Sequence, residues 1–169
     1  SLREVRTGLT NQFGAANARR IALTFDDGPD GEYTPEILDI LKEKHVHATF
    51  FIIGSNAEAH PGIVQREVDE GNEVGNHTYT HPNMSDTAPE GVTLELNATQ
   101  RLFQALTGRT LRLWRPPYLG DAEPTDNDEI APVLQAQTMG YIAVGEHIDA
   151  LDWERPGVDG IIKNVFDVL

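Results

Sequence analysis

The stretch Ile21-Ala22-Leu23-Thr24-Phe25-Asp26-Asp27-Gly28-Pro29-Asp30-Gly31 decides the fold. Its first five residues predict a short buried strand, and the Asp, Gly and Pro residues after them predict a sharp turn. Thr34-Pro35 predicts the start of a helix, with Thr34 as N-cap and proline at the first helical position. The apolar face of that helix is expected to comprise Ile37, Leu38, Ile40 and Leu41.

The same alternation of strand and helix continues along the chain. Short apolar runs predict strands over residues 48–53, 73–77, 111–114 and 141–144. Helices are predicted over residues 61–71, 93–106, 129–139 and 156–169, the last with an apolar side of Ile161, Ile162, Val165 and Phe166. This order predicts right-handed βαβ units and a mainly parallel sheet, either open or closed into a barrel.

Composition narrows the classes of function. The 169 residues suit one domain, and 13 basic against 27 acidic residues give a net charge of −14. Such an acidic chain is a poor binder of nucleic acid or of an anionic membrane, and no apolar run is long enough for membrane insertion. The absence of cysteine excludes disulfides, thiol nucleophiles and Cys-based zinc sites. Residues 1–6 carry neither a signal-peptide pattern nor an initiator methionine, so we expect a fragment or a processed chain.

Polar side chains follow four of the five predicted strands. In parallel α/β folds, functional groups collect at the carboxyl ends of the strands, so we expect these side chains to share one site. They are Asp26, Asp27, His77, His81, Arg115, Tyr118, Asp149, Asp152 and Trp153.

His77 and His81 form a His-x-x-x-His pair. Two imidazoles four residues apart can share one helical turn and bind one metal ion. Such a pair alone is more often a surface or core feature. A carboxylate from another strand end would complete a two-His-one-carboxylate set, which suits catalytic zinc or non-haem iron.

Asp26 and Asp27 are adjacent carboxylates. Successive side chains of a strand point to opposite faces, so a sharp turn at Gly28 and Pro29 is expected to bring both into one pocket. One carboxylate could then bind a metal while the other accepts a proton from metal-bound water. The plainer interpretation is an ordinary turn rich in Asp, Gly and Pro.

Four motifs in order resemble the polysaccharide deacetylase family, also called carbohydrate esterase family 4 or the chitooligosaccharide deacetylase homology domain. They lie at residues 24–29, 77–81, 115–118 and 149–153, and the resemblance extends from about residue 20 to residue 169. It implies a single α/β domain over residues 20–169, after a lead-in segment of residues 1–19. The implied fold is a distorted, mainly parallel (β/α) barrel with fewer than eight strands, here lacking its last strand.

The resemblance also implies a role for each motif residue. Asp27, His77 and His81 would hold one divalent metal ion, usually zinc, with cobalt, nickel or iron as alternatives. Asp26 would be the general base, held ionised by Arg115, since a nearby cation lowers the pKa of a carboxyl group. The remaining assignments are the backbone N–H of Tyr118 as oxyanion donor, Asp152 as the residue that orients a catalytic histidine, and Trp153, Pro117 and Asp149 as substrate-binding residues.

The implied activity is hydrolytic removal of acetyl groups from N-acetylglucosamine-type glycans such as chitin or peptidoglycan. The family's fifth motif, Leu-x-His, is not in this sequence. Two alternatives therefore stay open: an O-acetyl esterase acting on xylan-like polysaccharide, and a catalytically impaired glycan-binding module that retains the metal. The histidine of the fifth motif would be the general acid of the reaction. His147, otherwise an ordinary strand or rim residue, is the candidate that could replace it. Relatives of this kind also imply an extracellular or cell-envelope location and a possible fusion to a glycosyltransferase.

Overall fold

Five parallel strands form one sheet. The computed structural model describes residues 21–119 and 123–169, so the lead-in segment of residues 1–19 lies outside the described residues. The strands pair in chain order, which is the order found in a (β/α) barrel. They are β1 (Thr24–Gly28), β2 (Thr49–Ile52), β3 (Glu73–Asn76), β4 (Leu113–Trp114) and β5 (Ile142–Ala143). The predicted α/β class, with a mainly parallel sheet of fewer than eight strands, is confirmed.

Helices connect the strands. They are α1 (Tyr33–Lys44), α2 (Gly54–Ala59), α3 (Pro61–Asp69), α4 (Pro89–Thr107), α5 (Asn127–Thr138) and α6 (Gly157–Phe166), with 3₁₀ turns at Met84–Asp86 and Asp152–Glu154. The sequence did not predict α2, because six residues are too few to show a helical period. Helix α4 begins at Pro89 rather than at residue 93, since proline suits the first helical turn. No helix within the described ranges is both long and apolar enough to cross a membrane.

The start of α1 differs from the prediction. Asp30 Oδ1 accepts hydrogen bonds from the backbone N–H groups of Glu32 and Tyr33, at 2.8 and 2.7 Å. Thr34, the predicted N-cap, instead lies inside the first turn and accepts a hydrogen bond from the Asp30 N–H at 2.8 Å. A carboxylate can satisfy two of the free N–H groups at a helix start, which explains the exchange of roles.

The core lies between the sheet and its helices. Phe50, Phe51 and Ile52 of β2 are almost completely buried, because β2 is flanked by β1 and β3. The predicted burial is wrong for residues 21–23, which precede β1: Ile21 is 64% exposed and Leu23 is 41% exposed. Thr24 and Phe25 are half-buried, and Phe25 packs against the core.

The helix faces were predicted in part. Leu38 and Leu41 of α1 are buried as expected, whereas Ile40 is 56% exposed because it falls between the core-facing positions. Helix α6 is present as expected, but none of its residues is buried. Its predicted apolar side is therefore largely uncovered, with Phe166 exposed to 69%.

Glu67 of α3 is an ionisable side chain inside the core. It has no exposed surface, and neither of its carboxyl oxygens has a hydrogen-bond partner among the described residues. Burial raises the pKa of Glu67 to about 8, because the charged form would lose its hydration. The folded protein therefore holds a proton on Glu67 at neutral pH.

We predict that the wild type loses stability as the pH rises and that Glu67→Gln does not show this loss. Between pH 4.5, the ordinary pKa of glutamate, and about pH 8, the folded state keeps a proton that the unfolded state has released. Stability must fall across this window, by about 1.4 kcal/mol per pH unit relative to the Gln variant at full effect. Urea unfolding at pH 5, 6, 7 and 8 measures the difference.

The matched control is Glu36→Gln, which changes an exposed carboxylate on α1. Its unfolding free energy is expected to follow that of the wild type at every pH. If the unfolding free energies of the wild type and Glu67→Gln changed in parallel with pH, Glu67 would be ionised in the folded state.

Candidate metal centre

Asp27, His77 and His81 meet at the carboxyl ends of β1 and β3. Asp27 Oδ1 lies 3.3 Å from His77 Nε2 and 3.1 Å from His81 Nε2. One possible ligand atom from each residue lies within 4.8 Å of the other two. Two donors bound to a tetrahedral zinc ion at its usual bond lengths are about 3.4 Å apart. The carboxylate and the two imidazoles therefore have both the chemistry and the spacing for a divalent metal.

The orientation of the His77 ring supports this fit. His77 Nδ1 lies 2.7 Å from the backbone oxygen of Arg115. A carbonyl oxygen only accepts, so Nδ1 carries a proton, and Nε2 is the ring atom that faces the Asp27 carboxylate. The 3.3 Å gap between Nε2 and Asp27 Oδ1 requires a proton or a cation between the two atoms. A carbonyl behind a ligating imidazole is also the usual way of fixing the ring of a metal-bound histidine.

A β-bulge brings both aspartates to the same end of the sheet. Asp26 pairs with Phe51 and Gly28 with Ile52, so Asp27 is the extra residue, and its φ of 67° is left-handed. The bulge interrupts the alternation of side chains along β1. The prediction that a turn at Gly28 and Pro29 brings the two aspartates together is therefore wrong, because both aspartates lie within β1.

The loop that carries both histidines, which we call the histidine loop (residues 77–81), is not a helical turn. The prediction of a shared turn is wrong because Thr78 and His81 adopt left-handed φ values of 69° and 60°. The His77 N–H donates to the Ile52 carbonyl at 2.9 Å, which starts the loop at the end of β3. The two imidazoles converge because a tight loop, and not a helix, carries them.

Arg115 holds Asp26 from the interior of the protein. The guanidinium is buried and its Nη1 donates to Asp26 Oδ1 and to Thr24 Oγ1, both at 2.9 Å. Nε donates to the Val144 carbonyl at 3.1 Å, and the charge lies 4.4 Å from the centre of the Phe51 ring. These contacts fix the arginine, so the position of the Asp26 carboxylate is fixed as well.

The direction of the Asp26 pKa differs from the prediction. Burial raises the pKa of Asp26 by more than the Arg115 guanidinium lowers it, so the net direction is upward. The pKa of Asp27 is lowered, chiefly by its hydrogen bond with His77, and burial lowers the pKa of His81. The neighbouring carboxylates thus differ in their affinity for protons.

The remaining motif residues form two groups, one that follows β4 and one that follows β5. The ring centres of Tyr118 and His81 are 4.9 Å apart, and Tyr118 is 73% exposed, beside buried Pro117. Trp153 Nε1 donates to Asp149 Oδ2 at 3.4 Å, and Asp152 is exposed. Within the described part of the chain, no hydrogen bond or ion pair joins these last three residues to the aspartates or histidines at the metal centre. Their substrate and orienting roles stay predictions.

Three polar residues at the site were not predicted. Glu146 Oε2 lies 3.7 Å from Arg115 Nη1, Asn56 Nδ2 donates to the Asp27 carbonyl at 2.8 Å, and Glu95 binds the histidine loop. Glu146 lies just beyond β5, so the rule of strand ends could have found it. Asn56 and Glu95 lie on helices, where a sequence gives no comparable signal.

We predict that Arg115→Met destabilises the fold. It would remove the donors to Asp26, Thr24 and two carbonyl groups, and a buried acceptor left without its donor costs about 1–3 kcal/mol. Urea unfolding checks this value. Arg112→Met, which changes an exposed arginine nearby, is the control and should cost less than about 0.5 kcal/mol. Equal losses in the two variants would contradict a structural role for the buried guanidinium.

Known proteins resemble this chain in sequence. A peptidoglycan-N-acetylglucosamine deacetylase from Bacillus cereus is 40% identical over 152 residues, covering 90% of this chain and 53% of that protein. A chitooligosaccharide deacetylase from Sinorhizobium fredii is 38% identical over 149 residues, covering 88% of this chain and 66% of that protein. The chain thus spans between about half and two thirds of the length of these relatives.

Solved structures share the fold. The crystal structure of a peptidoglycan N-acetylglucosamine deacetylase matches with a TM-score of 0.83 and 36% identity, covering 92% of this chain and 70% of that chain. The crystal structure of a pseudoenzyme of carbohydrate esterase family 4 from Bacillus anthracis matches with a TM-score of 0.80 and 30% identity. The match covers 92% of this chain and 53% of that chain. The polysaccharide deacetylase family model matches residues 14–141. The chain therefore belongs to the polysaccharide deacetylase family.

Proposed function

We propose that this chain hydrolyses the acetamide groups of N-acetylglucosamine-type glycans at a divalent metal site. One observation carries the proposal: Asp27 and the two histidines converge, while the adjacent Asp26 is held by a buried arginine. A metal-binding carboxylate and a positioned free carboxylate are the two parts that attack by water on an acetyl group requires.

Asp27, His77 and His81 would hold the ion. Zinc suits this set of one carboxylate and two imidazoles, and cobalt, nickel or iron are alternatives. When bound, the ion would polarise the acetyl carbonyl and lower the pKa of a coordinated water. His77 and Asp27 are prepared for this role by the ring orientation that the Arg115 carbonyl imposes.

Asp26 would accept the proton of the attacking water. Arg115 fixes the carboxylate at 2.9 Å and prevents it from turning away. The raised pKa of Asp26 makes the ionised group a stronger base than a fully hydrated aspartate. Tyr118, whose ring packs against the His81 ring, would donate its main-chain N–H to the oxygen that becomes negatively charged. The leaving amine must also receive a proton, and we assign no residue of this chain as its donor.

The substrate class comes from the relatives. Their names specify peptidoglycan N-acetylglucosamine and chitooligosaccharide, which have the acetylated glucosamine unit in common. We propose that unit as the substrate and an N-acetylated glycan as the partner. Pro117, Asp149 and Trp153 are proposed to contact it, and Asp152 is proposed to orient a catalytic histidine. An extracellular or cell-envelope location and fusion to a glycosyltransferase stay predictions.

We predict zinc-dependent release of acetate from short N-acetylglucosamine oligomers. Chelator-treated protein should be inactive and should recover when zinc is added. His81→Ala should lose zinc binding and activity together, because it removes one of three ligands. Asp26→Asn should keep zinc but lose at least about 100-fold in kcat, the loss typical of a missing general base. Acetate assays and zinc titration measure the two properties separately.

Asp128→Asn, which changes an exposed carboxylate on α5, is the matched control and should behave as the wild type. Release of acetate from acetylated xylan alone would favour the esterase alternative. Glycan binding with zinc retained and no turnover would indicate an impaired module instead. If the wild type bound no zinc, the metal centre itself would be wrong.

A further inference from the structure

We propose that Glu95 of α4 is a positioning residue that holds the histidine loop in the shape needed for metal binding. The inference rests on the proposed metal site, which it deepens by one residue. Within the described part of the chain, the hydrogen bonds of the Glu95 carboxylate go to Tyr79 and Thr80, which lie between the two histidines, and none goes to a histidine. It would act on the metal only through the loop backbone.

The Glu95 carboxylate makes three hydrogen bonds to the loop. Oε2 accepts from the backbone N–H groups of Tyr79 and Thr80, at 2.7 and 2.8 Å. Oε1 accepts from the Thr80 hydroxyl at 2.7 Å. Both carboxylate oxygens are therefore occupied by two consecutive residues at the tip of a five-residue loop. Hydrogen bonds to a charged acceptor are stronger than those between neutral groups.

Helix α2 holds the opposite side of the same loop. The Gly54 N–H donates to the Thr78 carbonyl at 2.9 Å, and the Ser55 N–H donates to the Tyr79 carbonyl at 3.0 Å. A Cβ at position 54 would lie 2.3 Å from the Tyr79 ring, so the loop and helix are packed as closely as glycine allows. The Thr78 and Tyr79 carbonyl groups thus bind α2, and the Tyr79 and Thr80 N–H groups bind Glu95.

The loop needs this support because its backbone is unfavourable. Thr78 and His81 both have left-handed φ values, which residues with a Cβ seldom adopt unless their surroundings hold them. The polar contacts of the loop supply those surroundings. With the Glu95 carboxylate gone, the N–H groups of Tyr79 and Thr80 would turn to water and the loop could relax.

His81 depends on the loop more than His77 does. His77 is buried and its ring is fixed by the Arg115 carbonyl. The His81 ring is 23% exposed, and its described contacts are with Asp27, His77 and the Tyr118 ring. The direction of its Cα–Cβ bond is set by the loop backbone, so a change in the loop would move one of the two histidine ligands.

Two substitutions separate hydrogen bonding from charge. In Glu95→Gln, the amide oxygen can accept both N–H groups, and the amide nitrogen can donate to the Thr80 hydroxyl, so all three contacts can persist without charge. In Glu95→Ala, all three are lost. Glu90→Ala removes an exposed carboxylate from the same helix and is the matched control.

The experiment measures zinc affinity of the chelator-stripped protein by competition with a chromogenic chelator. Glu95→Ala should raise the Kd for zinc by about 10- to 100-fold, the range found when groups that orient metal ligands are removed. Glu95→Gln and Glu90→Ala should stay within about threefold of the wild type, a change too small to indicate a displaced ligand. Amide hydrogen exchange of metal-free protein should be faster at Tyr79 and Thr80 in Glu95→Ala alone.

Each contrary result has a distinct meaning. Unchanged zinc affinity in Glu95→Ala overturns the role of Glu95, and equal losses in the Ala and Gln variants overturn positioning in favour of charge. If Glu95→Ala does not fold, Thr80→Val removes one of the three contacts and should still weaken zinc binding severalfold; unchanged affinity there counts against the proposal. A wild type that binds no zinc overturns the proposed metal site, and the role of Glu95 falls with it.

Discussion

The buried guanidinium of Arg115 is the contact on which the site depends. Its side chain binds Asp26 on β1 and the Val144 carbonyl beyond β5, and it lies over the Phe51 ring of β2. Its backbone oxygen binds the His77 ring. One residue therefore ties both edges of the described sheet to the candidate metal centre, and the proposed base and a proposed metal ligand share one support. Neither can move without disturbing the other.

The site is built from backbone shapes that are unfavourable by themselves. Asp27, Thr78 and His81 have positive φ values, and each lies within or beside the set of candidate metal ligands. Regular strands and helices would send their side chains in alternating or helical directions, so convergence of three short ligands requires departures from both. The polar contacts of Asn56 and Glu95 stabilise those departures. Helices α2 and α4 thus contribute to the site although neither carries a metal ligand.

The sequence predicted which residues meet better than it predicted how they meet. Strand ends in a parallel sheet share one edge, so the order of the elements predicted that the two aspartates, the two histidines and Arg115 share a site. The choice of Asp27 rather than Asp26 as the metal-binding carboxylate came from the family resemblance. The bulge in β1 and the left-handed residues of the histidine loop could not be predicted, because local sequence leaves several backbone paths open. The Asp26 pKa was expected to fall because the family resemblance pairs Asp26 with Arg115. Burial, which has the larger effect on the Asp26 pKa, is a property of the folded protein.

The hydrogen bond between the His77 ring and the Arg115 carbonyl has a spectroscopic consequence. The Nδ1 proton is enclosed in a buried 2.7 Å contact, so it exchanges slowly with water and should give its own resonance far downfield in a proton NMR spectrum. Occupation of Nε2 on the other side of the same ring would shift that resonance. The chain thus contains a natural reporter of occupancy at the candidate metal centre, one that needs no label, substrate or turnover.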